Sequence, residues 1–163
     1  MGSTQEQVLH ELEAALRAAS KRVYATTSRQ GSIRGHRIDR AGYAALSVID
    51  ENTELRLSEV ASCLELDLST VSRQVRQLED AGLVRRRPDP LDGRASLLTL
   101  SPEGRRVLAA VRAARVDLLA HALREWRSAD RAELLRLLQR LLDDLTPAEA
   151  RTPLTRTSLR GTA

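Results

Sequence analysis

Residues 57 to 100 constrain the fold of this chain more than any other stretch. They read LSEVASCLELDLSTVSRQVRQLEDAGLVRRRPDPLDGRASLLTL. Two short helical patterns meet at a turn, and a basic run, a loop rich in Pro, Asp and Gly, and a β-type run follow. This order predicts a helix-turn-helix with a β-hairpin wing behind it, an arrangement that grips duplex DNA.

Capping residues set the expected boundaries inside this stretch. Ser58 is expected to cap a helix that ends at Leu64, and Asp67 or Ser69 is expected to cap the next helix, which runs to Ala81. Segments 83–87 and 95–100 alternate in polarity and flank the turn-forming residues 88–94, so they are predicted to form the two strands of a hairpin.

Most of the rest of the chain is predicted to be helical. Apolar positions recur with a helical period over residues 5–28, 39–49, 102–126 and 128–145, and a very short strand is expected at 55–57. Asp39 is expected to cap the second of these helices and Ser101 the third. The fold class is therefore mainly α with a small β-wing: a winged helix-turn-helix flanked by N- and C-terminal dimerisation helices. The expected divisions are a dimerisation helix and loop (1–38), the winged domain (39–101), dimerisation helices (102–146) and a disordered tail (147–163).

The first helix and the last two predict a homodimer. They carry more Leu and Ala surface than a small winged domain can cover, and two-fold dimers are the commonest assembly. Two copies would also place two recognition helices about 34 Å apart, one turn of DNA. A monomeric helical layer is the alternative.

Charge favours a polyanionic partner such as double-stranded DNA. The 163 residues have a formal net charge of +4, and a basic surplus suits nucleic acid. Six basic residues fall between Lys21 and Arg40, and six acidic ones between Asp50 and Asp67, so one basic face and one acidic patch are expected. With two Tyr, one Trp and no Phe, the chain lacks the aromatic platforms that bind single strands or RNA.

The compartment is expected to be the cytoplasm. The single cysteine, Cys63, excludes an internal disulfide and suits a reducing environment. The N-terminal residues are charged and amphipathic rather than apolar, unlike a secretory signal. No run approaches the roughly 18 apolar residues of a membrane span, so no membrane partner is expected.

The second helix of the motif has the polar face of a recognition helix. Leu68, Val71, Val75 and Leu78 are expected to face inward. The outward residues, which combine hydroxyls near the helix start with guanidinium groups further along, are Ser69, Thr70, Ser72, Arg73, Arg76 and Gln77. Hydroxyls and free N–H groups at a helix start suit phosphate oxygens, and an Arg one turn later can bind guanine O6 and N7. A solvated helix face is the alternative, and the wing behind it favours DNA.

The wing tip supplies a second group of candidates. Gly93 allows the positive φ of a tight tip, and Asp92 and Arg94 stand two residues apart, where a carboxylate can hold a guanidinium forward into a narrow minor groove. A surface ion pair worth less than about 1 kcal/mol is the alternative. Of the preceding arginines, Arg85 and Arg87 share one strand face, and the sequence leaves open which face that is.

These residues resemble the winged helix-turn-helix of the MarR family of bacterial transcriptional regulators. The matching stretches are residues 66–107, with the wing signature D-x-R, a Leu-Thr pair and a Ser-Pro-x-Gly helix start, and residues 125–145. The resemblance implies an obligate dimer on a pseudopalindromic operator, usually a repressor relieved by a small ligand or by oxidation. It implies DNA contacts from the outward residues named above and from Asp92 and Arg94.

The resemblance also implies a crevice for an effector whose identity the sequence does not give. That crevice would lie near the first, second and fifth helices, which here means Tyr24, Tyr43 and residues 107–111, although a tyrosine there is more often part of the core. Two departures from the family stand out. Glu65 occupies the turn position where Gly is common. Redox-sensing members of the family carry their reactive cysteine in the first helix, whereas Cys63 lies near the end of the helix before the recognition helix, beside acids that would raise its thiol pKa.

Few features of the sequence indicate a metal site, a cofactor or an enzyme. His10, His36 and His121 are scattered without the spacing of a zinc site, so no metal or cofactor is expected. A surface or loop histidine is the plainer interpretation, although His36 beside Arg37 can reach a ligand or a phosphate. No nucleophile, P-loop or dinucleotide motif indicates an enzyme. The remaining alternatives are a winged-helix protein-interaction module without specific DNA binding and a non-specific architectural DNA binder.

Overall fold

The computed structural model describes residues 2–29, 33–92 and 95–145. Within these ranges the chain forms six helices and three strands. In chain order they are α1 (Gly2–Arg29), α2 (Arg40–Asn52), β1 (Leu55–Arg56), α3 (Leu57–Leu64), α4 (Leu68–Asp80), β2 (Val84–Pro88), β3 (Ser96–Leu100), α5 (Pro102–Ala122) and α6 (Ser128–Leu145). The mainly helical fold with a small wing is therefore confirmed.

The described chain forms two compact units, one ending at Leu119 and one beginning at Ala120, so the boundary falls inside α5. The divisions expected at residues 38 and 101 remain predictions. The tail from residue 147, expected to be disordered, lies outside the described residues.

The sheet is antiparallel, with strand order β1-β3-β2. In the hairpin, Val84 pairs with Leu100 and Pro88 pairs with Ser96, within one residue of the predicted strands. The short strand β1 adds a third member, with Leu55 opposite Leu98. The wing is thereby attached to the segment that leads into α3.

The core of the winged domain is aliphatic, as the scarcity of aromatic residues requires. Ala45, Leu46 and Ile49 of α2 are fully buried, as are Val60 of α3 and Val75 of α4. Leu83, Leu98 and Leu108 extend the same cluster through the wing and into α5. Four helices, α2 to α5, and the sheet thus share one core, which fixes α4 relative to the wing.

Local hydrogen bonds account for most helix boundaries. The Asp39 carboxylate accepts a hydrogen bond from Gly42 N at 2.7 Å, so Asp39 caps α2 as predicted. The prediction that Ser58 caps α3 is wrong, because Arg56 is extended within β1 and the helix begins at Leu57. The Glu59 carboxylate accepts from Arg56 N at 2.6 Å instead.

The end of α5 also differs from the prediction. The helix ends at Ala122 rather than near Trp126. Arg124 N donates to His121 O at 3.4 Å and Trp126 N donates to Leu123 O at 3.0 Å, in each case to the third preceding carbonyl. These tighter turns replace the α-helical pattern in the last residues before α6.

Ser101 joins the end of α4 to the start of α5. Its buried hydroxyl donates to Gly82 O at 2.7 Å and accepts from Gly104 N at 2.9 Å. Its own N–H donates to Leu83 O at 2.9 Å. A Cβ at Gly104 would lie 2.0 Å from Leu83 O, so only glycine permits this close approach of α5.

Candidate nucleic-acid interface

The N-terminus of α4 is built around the Asp67 carboxylate. It accepts hydrogen bonds from Thr70 N at 2.8 Å and from the Ser69 hydroxyl at 2.5 Å. The bonds from Ser69 and Thr70 hold the pKa of Asp67 well below its usual range. Ser69 therefore donates to its own cap in this structure, and a phosphate would have to compete with Asp67 for that proton.

The predicted outward face of α4 is largely exposed. Thr70 is half-buried, and the other predicted contact residues are exposed: Ser69, Ser72, Arg73, Arg76 and Gln77. Neither Arg73 nor Arg76 forms an ion pair with another described residue. Both guanidinium groups are therefore available to a ligand.

Leu68 does not face inward as the helical period predicts. It is 52% exposed, whereas Val71, Val75 and Leu78 are buried. Leu68 is the first helical residue after the Asp67 cap. Its side chain lies on the same face of α4 as the three buried residues, but the core does not extend to this end of the helix. Leu66 is also exposed, so the start of α4 presents two branched side chains that can contact a thymine methyl group.

The wing arginines divide between ion pairs and solvent. Arg86 donates to Glu79 of α4 at 2.9 Å. Arg87 donates two hydrogen bonds to Glu54, one from Nε at 2.9 Å. Arg85 is exposed and pairs with no acid in the described chain. Of the three, Arg85 is the one whose charge is open to a polyanion.

A buried carboxylate supports the base of the wing. The Asp89 side chain has no exposed surface, and its Oδ2 accepts two hydrogen bonds from Arg56, at 2.9 Å from Nε and 2.7 Å from Nη2. Its Oδ1 accepts from Leu91 N at 2.9 Å. No local pattern indicates this pair, because Arg56 precedes α3 and Asp89 follows β2, so sequence reasoning missed both residues.

Of the two residues predicted to pair at the wing tip, Asp92 and Arg94, the structure describes only Asp92. Asp92 is half-buried, with its carboxylate 3.9 Å from Arg56 Nη2, and its carbonyl accepts from Ala95 N at 2.8 Å. Arg94 and Gly93 lie outside the described residues. The minor-groove role of Asp92 and Arg94 stays a prediction.

The turn of the helix-turn-helix takes the conformation that favours glycine. Glu65 adopts φ 53° and ψ 39°, in the left-handed region. Its N–H donates to Ser62 O at 3.1 Å and Leu66 N donates to Ala61 O at 3.1 Å, which closes the end of α3. The turn therefore keeps the usual geometry and accepts the strain of a side chain.

Comparison with known proteins agrees with this geometry. The family model described as MarR family matches residues 38–95. The uncharacterized HTH-type transcriptional regulator YxaD of Bacillus subtilis (strain 168) is 36% identical over 112 residues, which cover 69% of this chain and 78% of that protein. The chain belongs to the MarR family.

Solved MarR structures share the fold. A MarR family protein from Bacillus stearothermophilus superposes with a TM-score of 0.73 at 24% identity, covering 85% of this chain and 96% of that one. Wild-type MarR from E. coli gives a TM-score of 0.68 at 21% identity, covering 80% and 96%. As a MarR family member, the protein is a transcriptional regulator and not an enzyme.

The two tyrosines predicted near an effector crevice contact the same arginine in this MarR protein. The guanidinium carbon of Arg115 lies 3.4 Å from the ring centre of Tyr43 and 4.7 Å from that of Tyr24. Arg40 stacks on Tyr24 at 5.1 Å. The predicted lining residues Val107 and Val111 are instead buried in the core.

A crevice adjoins this stack. It has a volume of about 550 Å³ and is lined by Arg17, Ser20, Lys21, Tyr24 and Arg40. Arg115 Nε is buried without a hydrogen-bond partner among the described residues. The walls are thus aromatic and cationic, the chemistry that suits an anion with an apolar body.

Cys63 lies at the surface. Partial desolvation and the nearby Glu59 and Glu51 carboxylates raise the pKa of its thiol, which makes the reactive thiolate scarcer. The described residues contain no group of three or more His, Cys, Asp or Glu side chains placed to hold a metal ion. None of their helices is long and apolar enough to cross a membrane.

Proposed function

We propose that this MarR protein is a sequence-specific regulator that binds a pseudopalindromic operator as a homodimer and represses transcription until an effector releases it. The observation that carries the proposal is the outward face of α4, where Arg73 and Arg76 are exposed and unpaired among the described residues. These two guanidinium groups can therefore bind base edges without first breaking an ion pair with another described residue.

The homodimer is supported by apolar rows on two helices. On α1, Val8, Leu9, Leu12 and Leu16 are exposed. On α6 the exposed apolar residues are Leu134, Leu135, Leu137, Leu138, Leu141, Leu142 and Leu145. Covering a leucine contributes about 1.5–3 kcal/mol, so a second copy of the chain gains stability by packing on these rows.

The effector proposal rests on the crevice beside Tyr24. Its cationic walls, formed by Arg17, Lys21 and Arg40, favour a small anion with an aromatic or aliphatic body. A ligand there would act through α1 and α2, and it would release DNA only if it favours a dimer whose two α4 helices have the wrong spacing.

Selection from a random duplex library tests the DNA-binding part of the proposal. The parent protein should recover a two-fold symmetric site with half-sites about one helical turn apart. A salt-dependent affinity with no preferred sequence would indicate an architectural binder instead. Recovery of no duplex at any salt concentration would leave the protein-interaction module.

Sedimentation and ligand titration test the other two parts. The parent should sediment as a dimer, and Leu138→Asp on α6 should give a monomer that loses operator binding. A library of small carboxylates should include compounds that weaken operator binding by the parent but not by Tyr24→Leu. A monomeric parent would contradict the homodimer. Compounds that weaken operator binding equally in the parent and in Tyr24→Leu would contradict the effector site.

A further inference from the structure

A short basic loop precedes α2 and is held in a defined shape. Ile33 and His36 exchange two backbone hydrogen bonds, at 2.9 and 3.0 Å. Arg34 and Gly35 between them take φ 53° and 84°, the geometry of a tight hairpin turn. Arg34 Nε also donates to Glu103 Oε1 of α5 at 3.0 Å. The loop is therefore fixed to the winged domain from two sides.

This loop and the recognition helix form the two walls of one groove. The groove has a volume of about 310 Å³. His36 and Arg37 line one wall, and Gln74 and Gln77 of α4 line the other. Because Gln77 also belongs to the outward face of α4, the groove is continuous with the surface proposed to read DNA.

The charges of the groove suit an anion at its outer edge. Arg37 is exposed and has no ion-pair partner among the described residues, unlike Arg34 in the same loop. The one carboxylate in the lining, Asp39, is occupied by Gly42 N at 2.7 Å and Gln74 Nε2 at 3.5 Å. The N-terminus of α2 adds its positive end at the same place.

We propose that Arg37, assisted by His36, binds a phosphate of the DNA backbone beside the bases that α4 contacts. The proposal rests on the proposed function, since it needs α4 to lie against a duplex. It gives each protomer a third point of contact with DNA, in addition to the recognition helix and the wing.

A phosphate rather than a base is the expected partner. Arg37 stands on a loop at the side of α4, whereas base edges in the major groove are reached from the helix that enters it. Arg37 would therefore add affinity for every sequence and leave the base preference unchanged. Each neutralised phosphate contributes about 0.9 to the slope of log affinity against log salt.

The test compares the parent, Arg37→Ala and the matched control Arg124→Ala. Arg124 is likewise exposed; it follows α5 and pairs with Glu125. Two 30-base-pair duplexes serve as probes, the site selected by the parent and a scrambled sequence. Arg37→Ala should weaken binding to both by a similar factor and lower the salt slope by about 0.9 per protomer. Arg124→Ala should match the parent.

A methylphosphonate scan identifies the contact directly. Replacing one phosphate at a time with this neutral group should reveal a position that weakens the parent but leaves Arg37→Ala unaffected. Binding and slope equal to the parent, or no such position, would overturn the inference while the selected site still upholds the proposed function. A parent that binds neither duplex would overturn both. Circular dichroism and thermal melting check that each variant is folded.

Discussion

Arg56 and Asp89 form the ion pair that connects the start of the helix-turn-helix to the base of the wing. Arg56 donates twice to one carboxylate oxygen, at 2.7 and 2.9 Å, while the other oxygen accepts from Leu91 N. The carboxylate has no exposed surface. A buried charge is stable only when its hydrogen bonds are made, so this pair fixes how the wing leaves the domain.

Asp89→Ala should therefore lower the free energy of unfolding by about 1–3 kcal/mol, because Leu91 N and Arg56 lose their buried acceptor. The matched control is Glu54→Ala, which removes the half-exposed partner of Arg87 and should cost less than about 1 kcal/mol. Urea denaturation at one protein concentration measures both. Equal decreases in the free energy of unfolding would mean that the buried pair of Arg56 and Asp89 stabilises the fold no more than the more exposed pair of Arg87 and Glu54.

Arg73→Ala should relax base preference and weaken operator binding by about 1–3 kcal/mol. Arg73 is exposed, and no described acid holds it away from DNA. Competition between the selected site and single-base variants measures the preference. If the variant ranks those sites as the parent does, Arg73 is not a base-reading residue.

Arg94→Ala should weaken binding and lower the salt slope by about one, if the wing tip lies in the minor groove. Asp92→Ala should weaken binding too, because the carboxylate would no longer hold the guanidinium forward. Fluorescence anisotropy between 50 and 300 mM salt gives the slopes. An unaltered slope for Arg94→Ala would remove the wing tip from the interface.

Glu65→Gly should stabilise the protein by about 0.5–1 kcal/mol, since glycine takes φ 53° without the penalty of a Cβ. Glu65→Ala is the control, because it removes the same carboxylate and keeps the Cβ. Chemical denaturation compares the three proteins. A gain shared by both variants would indicate relief of charge repulsion rather than of backbone strain.

Asp67 should contribute a pH-dependent part of the stability. Hydrogen bonds from Ser69 and Thr70 lower its pKa in the folded state, so its contribution is present above the unfolded value of about 3.9 and is lost as the pH falls below it. Asp67→Asn retains a capping oxygen but does not titrate. Urea titrations from pH 7 to pH 3 should show a steeper acid loss for the parent than for the variant, and parallel curves would contradict the assignment.

Most features that depend on neighbouring residues were predictable from the sequence, although the Ser58 cap and the end of α5 were not. The caps at Asp39, Asp67 and Ser101 follow from residue type and position, and the two strands of the hairpin follow from alternation around the turn. The family wing signature carried the functional conclusion. In each case the signal lies within a few residues of the structure that it specifies.

Contacts between distant segments were not predictable. Nothing in the sequence pairs Arg56 with Asp89, Arg87 with Glu54 or Arg34 with Glu103, because charged residues have many possible partners until the core brings segments together. Leu68 illustrates the same limit for burial. The helical period gives the direction of a side chain but not the depth of the core beneath it.

One buried hydroxyl finally limits how the DNA-reading helix can move. Ser101 holds Gly82, just beyond α4, and Gly104, in the first turn of α5, at 2.7 and 2.9 Å. Hydrogen bonds fail beyond about 3.5 Å, so the bond to Gly82 can lengthen by only about 0.8 Å and the bond to Gly104 by only about 0.6 Å before it breaks. A larger shift of α5 either moves the C-terminal end of α4 with it or breaks one of the two hydrogen bonds of Ser101. Ser101 therefore couples the movements of the two helices and limits how far their ends can separate.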